Sequence, residues 1–256
     1  MSAYEKFKAL HHAEEPLLLC NVWNAASAKI IQEKGFPALA TSSSAVADTM
    51  GYTDGENIPF PELLQVTERI VKSVDVPVSA DIETGYSSDI DGLLRNIDQL
   101  LSIGVVGINL EDAAVGESRI LPPAADFVKK LSAIRTHLSA TGKQLFINAR
   151  TDTFLLKLPN ALEETLIRAR IYEEAGADSL FVPFIHNEED IRQVVNATSL
   201  PVNVLAMPQL PSYARLKDLG VKRISMGGSM YWSLGATLRS RIDTILADGD
   251  FRAVFI

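Results

Sequence analysis

The stretch VPVSADIETGYS (residues 76–87) runs as an apolar strand into two carboxylates, Asp81 and Glu83, one residue apart. In a strand, side chains i and i+2 share a face. On a face that lines a closed space, two such charges repel and lose hydration unless a cation lies between them. A third acid, Glu111, lies near the end of VVGINLED (105–112). Three hard oxygen donors without His or Cys select Mg²⁺, with Mn²⁺ as the alternative, and Mg²⁺ keeps enough waters to need few protein ligands. The competing reading is that one or two of these acids cap helices or pair with Arg150. That arginine closes QLFINAR (144–150). Its planar fork suits a substrate carboxylate, an ion pair with Asp152 or Glu111, or both. Thr41, Ser42 and Ser43 bring hydroxyls and N–H groups to another strand end, the makings of an anion cradle. Gly227–Gly228 would admit a phosphate before the last helix, or serve close backbone packing.

Other chemistries are disfavoured. No lysine ends a strand, which argues against a Schiff-base aldolase. No paired-histidine spacing occurs, which argues against a zinc or binuclear hydrolase. His11, His12 and His137 fall in helical or terminal segments and are expected in solvent. His186 follows the sixth strand and is expected on a surface loop. Cys20, mid-strand, reads as a core filler.

The elements that must hold these residues follow one repeat: a short β-branched apolar run, a polar loop, then a segment of helical period. The runs are 17–23, 37–43, 76–82, 105–112, 144–150, 178–183, 200–206 and 222–227. Helical segments are expected at about 24–34, 60–73, 89–102, 124–140, 160–175, 187–196, 212–219 and 229–247. Gly35, Gly104, Gly176 and Gly220 stand where left-handed helix C-caps belong. Eight such units predict a (β/α)8 TIM barrel in a single domain, residues 1–256, with a helical lead-in (1–16) and a short tail (248–256). A doubly wound open sheet is the alternative, weakened because no G-x-G-x-x-G follows the first strand. In a barrel the strand C-termini form the active face. Trp23, Thr41–Ser43, Asp81, Glu83, Glu111, Asp112, Arg150, Asp152, Asn203 and Gly227 therefore gather at one end, while Lys143 and Lys222 begin their strands at the other.

Composition narrows the class. The 256 residues carry a net charge of −8, which disfavours a general nucleic-acid partner. One cysteine excludes an internal disulfide and a cysteine-zinc cluster. No signal-peptide core and no apolar run of about 20 residues occurs. A soluble, cytoplasmic chain is expected, with no membrane partner.

At DIETGY, LED and NARTD, read with NVWNAASA and TSSSAVADTMGYTDGE, the sequence resembles the isocitrate lyase/phosphoenolpyruvate mutase superfamily, and most closely its shorter mutase-like members. The resemblance spans about residues 7–247. It implies a Mg²⁺-dependent enzyme that makes or breaks a C–C or P–C bond of a small 2-oxo or 2-hydroxy acid or phosphonate through a pyruvate enolate. By matching position it implies Asp81, Glu83 and Glu111 as metal ligands, with Asp54 in the metal's water shell. It implies Thr41, Ser42 and Ser43 on the substrate carboxylate, Arg150 on the enolate oxygen, and Asn203 and Trp23 lining the site. Departures are plain. The lyases' Lys-Lys/Arg-Cys-Gly-His loop is replaced by LEDAAVGESRILPP, in which only Glu117, Ser118 and Arg119 offer polar groups, Glu117 being the catalytic candidate. Trp232 stands where lyases tend to place an Arg for a second carboxylate. Isocitrate and methylisocitrate lysis are thus disfavoured. A barrel that keeps the site but has lost turnover is the alternative, and an unrelated phosphate-binding barrel a third. Relatives form dimers and tetramers, often by exchanging a C-terminal helix. A homo-oligomer is expected here, although the tail DGDFRAVFI is short for such exchange.

Overall fold

The computed structural model describes residues 1–114 and 119–255. Among the described residues nine parallel strand segments form one sheet: β1 (Leu17–Leu19), β2 (Asn21–Val22), β3 (Leu39–Thr41), β4 (Val78–Asp81), β5 (Gly107–Glu111), β6 (Phe146–Arg150), β7 (Ser179–Val182), β8 (Val202–Leu205) and β9 (Arg223–Ser225). β1 pairs with β9 and β2 with β3, so the expected first strand is present but broken at Cys20. The break lets one strand serve both neighbours, and the sheet curls into a (β/α)8-type barrel of a single domain.

The helices are α1 (Ala3–Leu10), α2 (Ala25–Glu33), α3 (Ser43–Thr49), α4 (Phe60–Val71), α5 (Ile90–Ser102), α6 (Ala124–Thr141), α7 (Ala161–Glu174), α8 (Glu188–Ala197), α9 (Tyr213–Asp218) and α10 (Ser229–Asp248). Their local causes are visible in α5. Asp89 caps it by accepting from the Gly92 N–H at 2.7 Å, and Leu93, Ile97 and Leu100 recur on one face. That stripe packs on Ile108 and Leu110, which point outward from β5. The main core lies in this layer between strands and helices, each fully buried Leu or Ile adding about 1.5–3 kcal/mol. α10 differs, because none of its residues is buried. No helix among the described residues is long and apolar enough to cross a membrane.

Inside the barrel the filling changes with height. The base is apolar: Phe7 of α1 packs with Leu19, Ala40 and Phe146. Gly107 is required there, since a Cβ would stand 2.9 Å from the Phe7 ring. His11 is not in solvent as expected but fully buried. Its ring stacks on Phe146 at 4.1 Å and its Nδ1 lies 2.8 Å from the Phe7 carbonyl. Above it comes a polar layer. Asn148 donates to Asn109 at 2.8 Å, and Arg223 donates to the same Asn109 oxygen at 3.1 Å. The charged mouth lies above that.

Candidate active site

The β3 end is built differently from the expected loop. Ser42 caps α3, its hydroxyl accepting from the Ala45 N–H at 3.4 Å. The Ser43 hydroxyl and N–H then donate to Asp81 Oδ2 at 2.9 and 3.3 Å. Thr41 is buried, and its hydroxyl accepts the Asp81 N–H at 2.8 Å. Thr41 thus positions Asp81, whereas Ser42, Ser43 and Ser44 line the barrel-mouth cavity.

Asp81 and Glu83 do not share a strand face. β4 ends at Asp81, and Glu83 sits in a left-handed turn with φ +48°, a costly conformation for a non-glycine residue. Glu56, reaching over from the GYTDGE loop, holds that turn: one of its oxygens accepts from the Thr84 N–H, the Thr84 hydroxyl and the Tyr86 N–H at 2.7–2.9 Å. In return the Glu56 N–H and the Tyr86 hydroxyl each donate to Glu83 Oε1 at 3.0 Å. Burial, reinforced by the negative charges of Asp54 and Asp81, pushes Glu83 up to about 7.

Glu111 belongs to a ring of four charges. Arg119 Nη1 lies 2.6 Å from both Glu111 Oε1 and Asp152 Oδ2. Arg150 donates from Nε and Nη2 to Asp152 at 2.7 and 3.2 Å, and its Nη1 is 3.0 Å from Glu111 Oε2. The ion-pair reading of Arg150 is therefore realised. Burial opposes the charge of both arginines, but Glu111 and Asp152 outweigh it and raise both. Burial also raises Glu111, though Arg150 works against it.

The mouth opens into a cavity of about 540 Å³ bounded by Ser43, Asp54, Asp81, Arg119, Arg150 and Gly228. Two buried carboxylate oxygens have no partner, Asp81 Oδ1 and Glu83 Oε2, and a third, Glu111 Oε2, faces only the Arg150 guanidinium at 3.0 Å. Each belongs to one of the three acids expected to hold a metal, and such a donor set suits a hard dication. Among the described residues no three His, Cys, Asp or Glu side chains converge on one point.

The other expected residues divide. Asp54 stands at the cavity rim. Asn203 is buried beneath it, accepting from Ser225 at 3.3 Å, with its Nδ2 unpartnered. Trp23 faces α10 instead, its ring 5.3 Å from that of Tyr231. Asp112 turns outward to Arg168 and Tyr172 at 2.9 and 2.7 Å. Glu117 and Ser118 lie outside the described residues. The N–H groups of Met226 and Gly227 both donate to Asn21 at 2.9 Å, and a Cβ on Gly228 would stand 2.5 Å from Trp232. Packing explains that glycine pair. Asp152, Arg119 and Glu56 carry more of the site than their sequence context suggested. Asp152 had a signal, two residues beyond Arg150. Arg119 had only its place in the loop after β5.

The sequence profile of phosphoenolpyruvate phosphomutase matches residues 7–246. A crystal structure from Burkholderia cenocepacia J2315, its protein provisionally named a phosphonomutase, superposes with a TM-score of 0.89 at 38% identity, covering 94% of this chain and 99% of that one. An uncharacterized protein of Mycobacterium tuberculosis is 32% identical over 244 residues, 95% of this chain and 90% of its own. The phosphoenolpyruvate phosphomutase of Streptomyces hygroscopicus is 31% identical over 189 residues, 71% of this chain and 59% of its own.

Proposed function

The chain belongs to the phosphoenolpyruvate phosphomutase family, within the isocitrate lyase/phosphoenolpyruvate mutase superfamily, and from that premise we propose that it is a Mg²⁺-dependent enzyme making or breaking a C–C or P–C bond of a small 2-oxo or 2-hydroxy acid or phosphonate. The observation that carries this reading is the pair of buried, unpartnered carboxylate oxygens, Asp81 Oδ1 and Glu83 Oε2, together with Glu111 and two arginines at the C-terminal end of the barrel. Asp81, Glu83 and Glu111 would hold Mg²⁺, or Mn²⁺ in its place. The ion would supply Lewis-acid stabilisation of negative charge developing at the 2-oxo group. Ser42–Ser44 would bind the adjoining carboxylate, and Arg150 would oppose the enolate charge from the facing wall. Asp54, at the rim, is placed to order a water over the cavity.

Oxalate, a planar enolate mimic, tests this directly. Calorimetry with MgCl₂ should give binding that disappears when the metal is chelated, and its absence from folded protein would remove the reading. A panel of 2-oxo acids and phosphonates followed for pyruvate release then separates an active enzyme from a metabolite-binding barrel. The loop after β5 motivates that second reading, because LEDAAVGESRILPP holds no Cys, Lys or His. A homo-oligomer is supported by α10, whose Met230, Trp232, Leu234, Leu238 and Ile242 are all exposed. Sedimentation of the full chain checks it.

A further inference from the structure

Three polar side chains, Asn21, Asn109 and Ser225, border the cavity from beneath the charged mouth. Two of them are spent within the protein. Asn21 accepts from the Met226 and Gly227 N–H groups and donates its Nδ2 to the Thr41 carbonyl at 2.8 Å. Ser225 gives its hydroxyl proton to Asn203 at 3.3 Å. Asn109 differs. Its Oδ1 accepts twice, from Asn148 Nδ2 at 2.8 Å and from Arg223 Nη2 at 3.1 Å. Its own Nδ2 donates to no other group among the described residues, and the residue forms part of the cavity wall.

The direction of that amide is imposed from below. Arg223 is fully buried, and no carboxylate pairs with it among the described residues. Burial pushes it down to about 9, the sign of a charge held at a cost. A guanidinium only donates, so Arg223 can face the oxygen end of Asn109 and not the amino end. Asn148 makes the same demand, because its own oxygen already accepts from Ser179 at 2.5 Å and its Nδ2 is what meets Asn109. The Asn109 amide therefore cannot flip, and its N–H bonds turn away from both neighbours. Register places them: Asp81 is the strand partner of Asn109, and Glu111 stands two residues above it on β5. We infer that Asn109 is a substrate-binding residue, its Nδ2–H donating to the oxygen of the bound oxo acid that reaches deepest into the barrel, and that Arg223 is the positioning residue that aims it. This rests on the proposed function and deepens it. A donor there selects a carboxylate or carbonyl oxygen and disfavours a ligand whose innermost atom carries hydrogen, such as an amide nitrogen.

The test is calorimetry of the full chain with MgCl₂ and oxalate. Asn109→Ala should weaken oxalate ~10-fold or more, the loss of a hydrogen bond to a charged ligand, while Mg²⁺ binding without oxalate stays within ~3-fold of wild type. Arg223→Met should weaken oxalate too, yet add nothing in the Asn109→Ala background, because it acts through that amide. Arg223→Lys, which still donates to Oδ1, should keep part of the affinity. Unchanged oxalate affinity in Asn109→Ala, or an equal fall in its Mg²⁺ affinity, overturns the inference for Asn109; additive losses overturn the role of Arg223. Circular dichroism checks that each variant folds. Should one not fold, a crystal of wild-type protein with Mg²⁺ and oxalate decides, since Asn109 Nδ2 must lie within about 3.2 Å of an oxalate oxygen, and a larger separation overturns the inference. If folded wild-type protein binds no oxalate with Mg²⁺, the proposed function falls together with this inference; if it binds and Asn109→Ala changes nothing, this inference falls alone.

Discussion

The base and the mouth of this barrel are made by the same strands yet obey opposite rules. β6 shows it within five residues: Phe146, Asn148 and Arg150 all face inward, and they belong in turn to the apolar base, the polar middle and the charged mouth. β5 repeats the pattern with Gly107, Asn109 and Glu111. At the base, shape is satisfied: a phenylalanine fills the opening, a glycine makes room for it, and a histidine stays neutral against an aromatic ring. At the mouth, chemistry is left unsatisfied: carboxylate oxygens lack partners and Glu83 holds a strained backbone angle. The contrast teaches where free energy is stored. Packing at the base stabilises the barrel, and that surplus offsets the cost of holding bare charge at the other end.

If that division is right, substitutions at the two ends should have separable effects. Asp81→Ala should lower Mg²⁺-dependent oxalate affinity by ~1,000-fold, about 4 kcal/mol, with little loss of stability. Calorimetry beside urea unfolding checks both halves, and a large drop in unfolding midpoint would contradict the division. Phe7→Ala should show the reverse, losing about 3–4 kcal/mol of stability while the folded fraction keeps its oxalate affinity.

Acidity sharpens the comparison, because the two ends titrate in opposite senses. Burial pushes His11 down to about 3 from 6.5. Below pH 6.5 the unfolded chain takes up a proton that the folded chain refuses, so this contribution to stability is lost as pH falls toward 3. Burial and then Asp54 push Glu83 up to about 7 from 4.5. Here the folded chain holds the proton, so stability present below 4.5 is lost as pH rises toward 7. Between about pH 5 and 6.5 each effect amounts to about 2 kcal/mol, with opposite sign. Glu111, which burial also raises, adds to the Glu83 side, so urea midpoints of metal-free protein should fall with pH in that window. Relative to wild type, Glu83→Gln should make that fall shallower and His11→Gln should make it steeper; a variant profile parallel to wild type would refute the assignment. The smallest effect belongs to Thr41→Val, which removes the acceptor for the Asp81 N–H and should cost about 1 kcal/mol by the same unfolding measurement.

Much of this architecture is written locally. The Val/Ile runs and the glycines at helix ends predict nearly every strand and helix, because buried parallel strands and C-caps are set by neighbours a few residues away. What local reading misses depends on distant partners. α3 is Ser/Ala-rich with no apolar stripe, and only the Ser42 cap announces it. The left-handed turn at Glu83 contradicts the strand alternation of VPVSADIE, because Glu56, 27 residues earlier, fixes it. His11 is buried by Phe146 and by Arg223, 212 residues on. Among the mouth residues, Asp81 and Arg150 are recognisable by type and place. The importance of Arg119 becomes visible only once Glu111 and Asp152 stand on either side of it.

The contact between His11 and Arg223 also bears on how the molecule is born. Arg223 Nη1 lies 3.5 Å from His11 Nε2, joining the residue that caps α1 to the last strand of the barrel. At 5–20 residues per second, roughly 10–40 s separate the synthesis of these two residues. Throughout that interval the Phe7 face of α1 has no finished floor to seal. The nascent chain therefore carries an exposed apolar helix until β9 has been made, and the slow closure of a long-range topology makes that period the one in which chaperones would matter most.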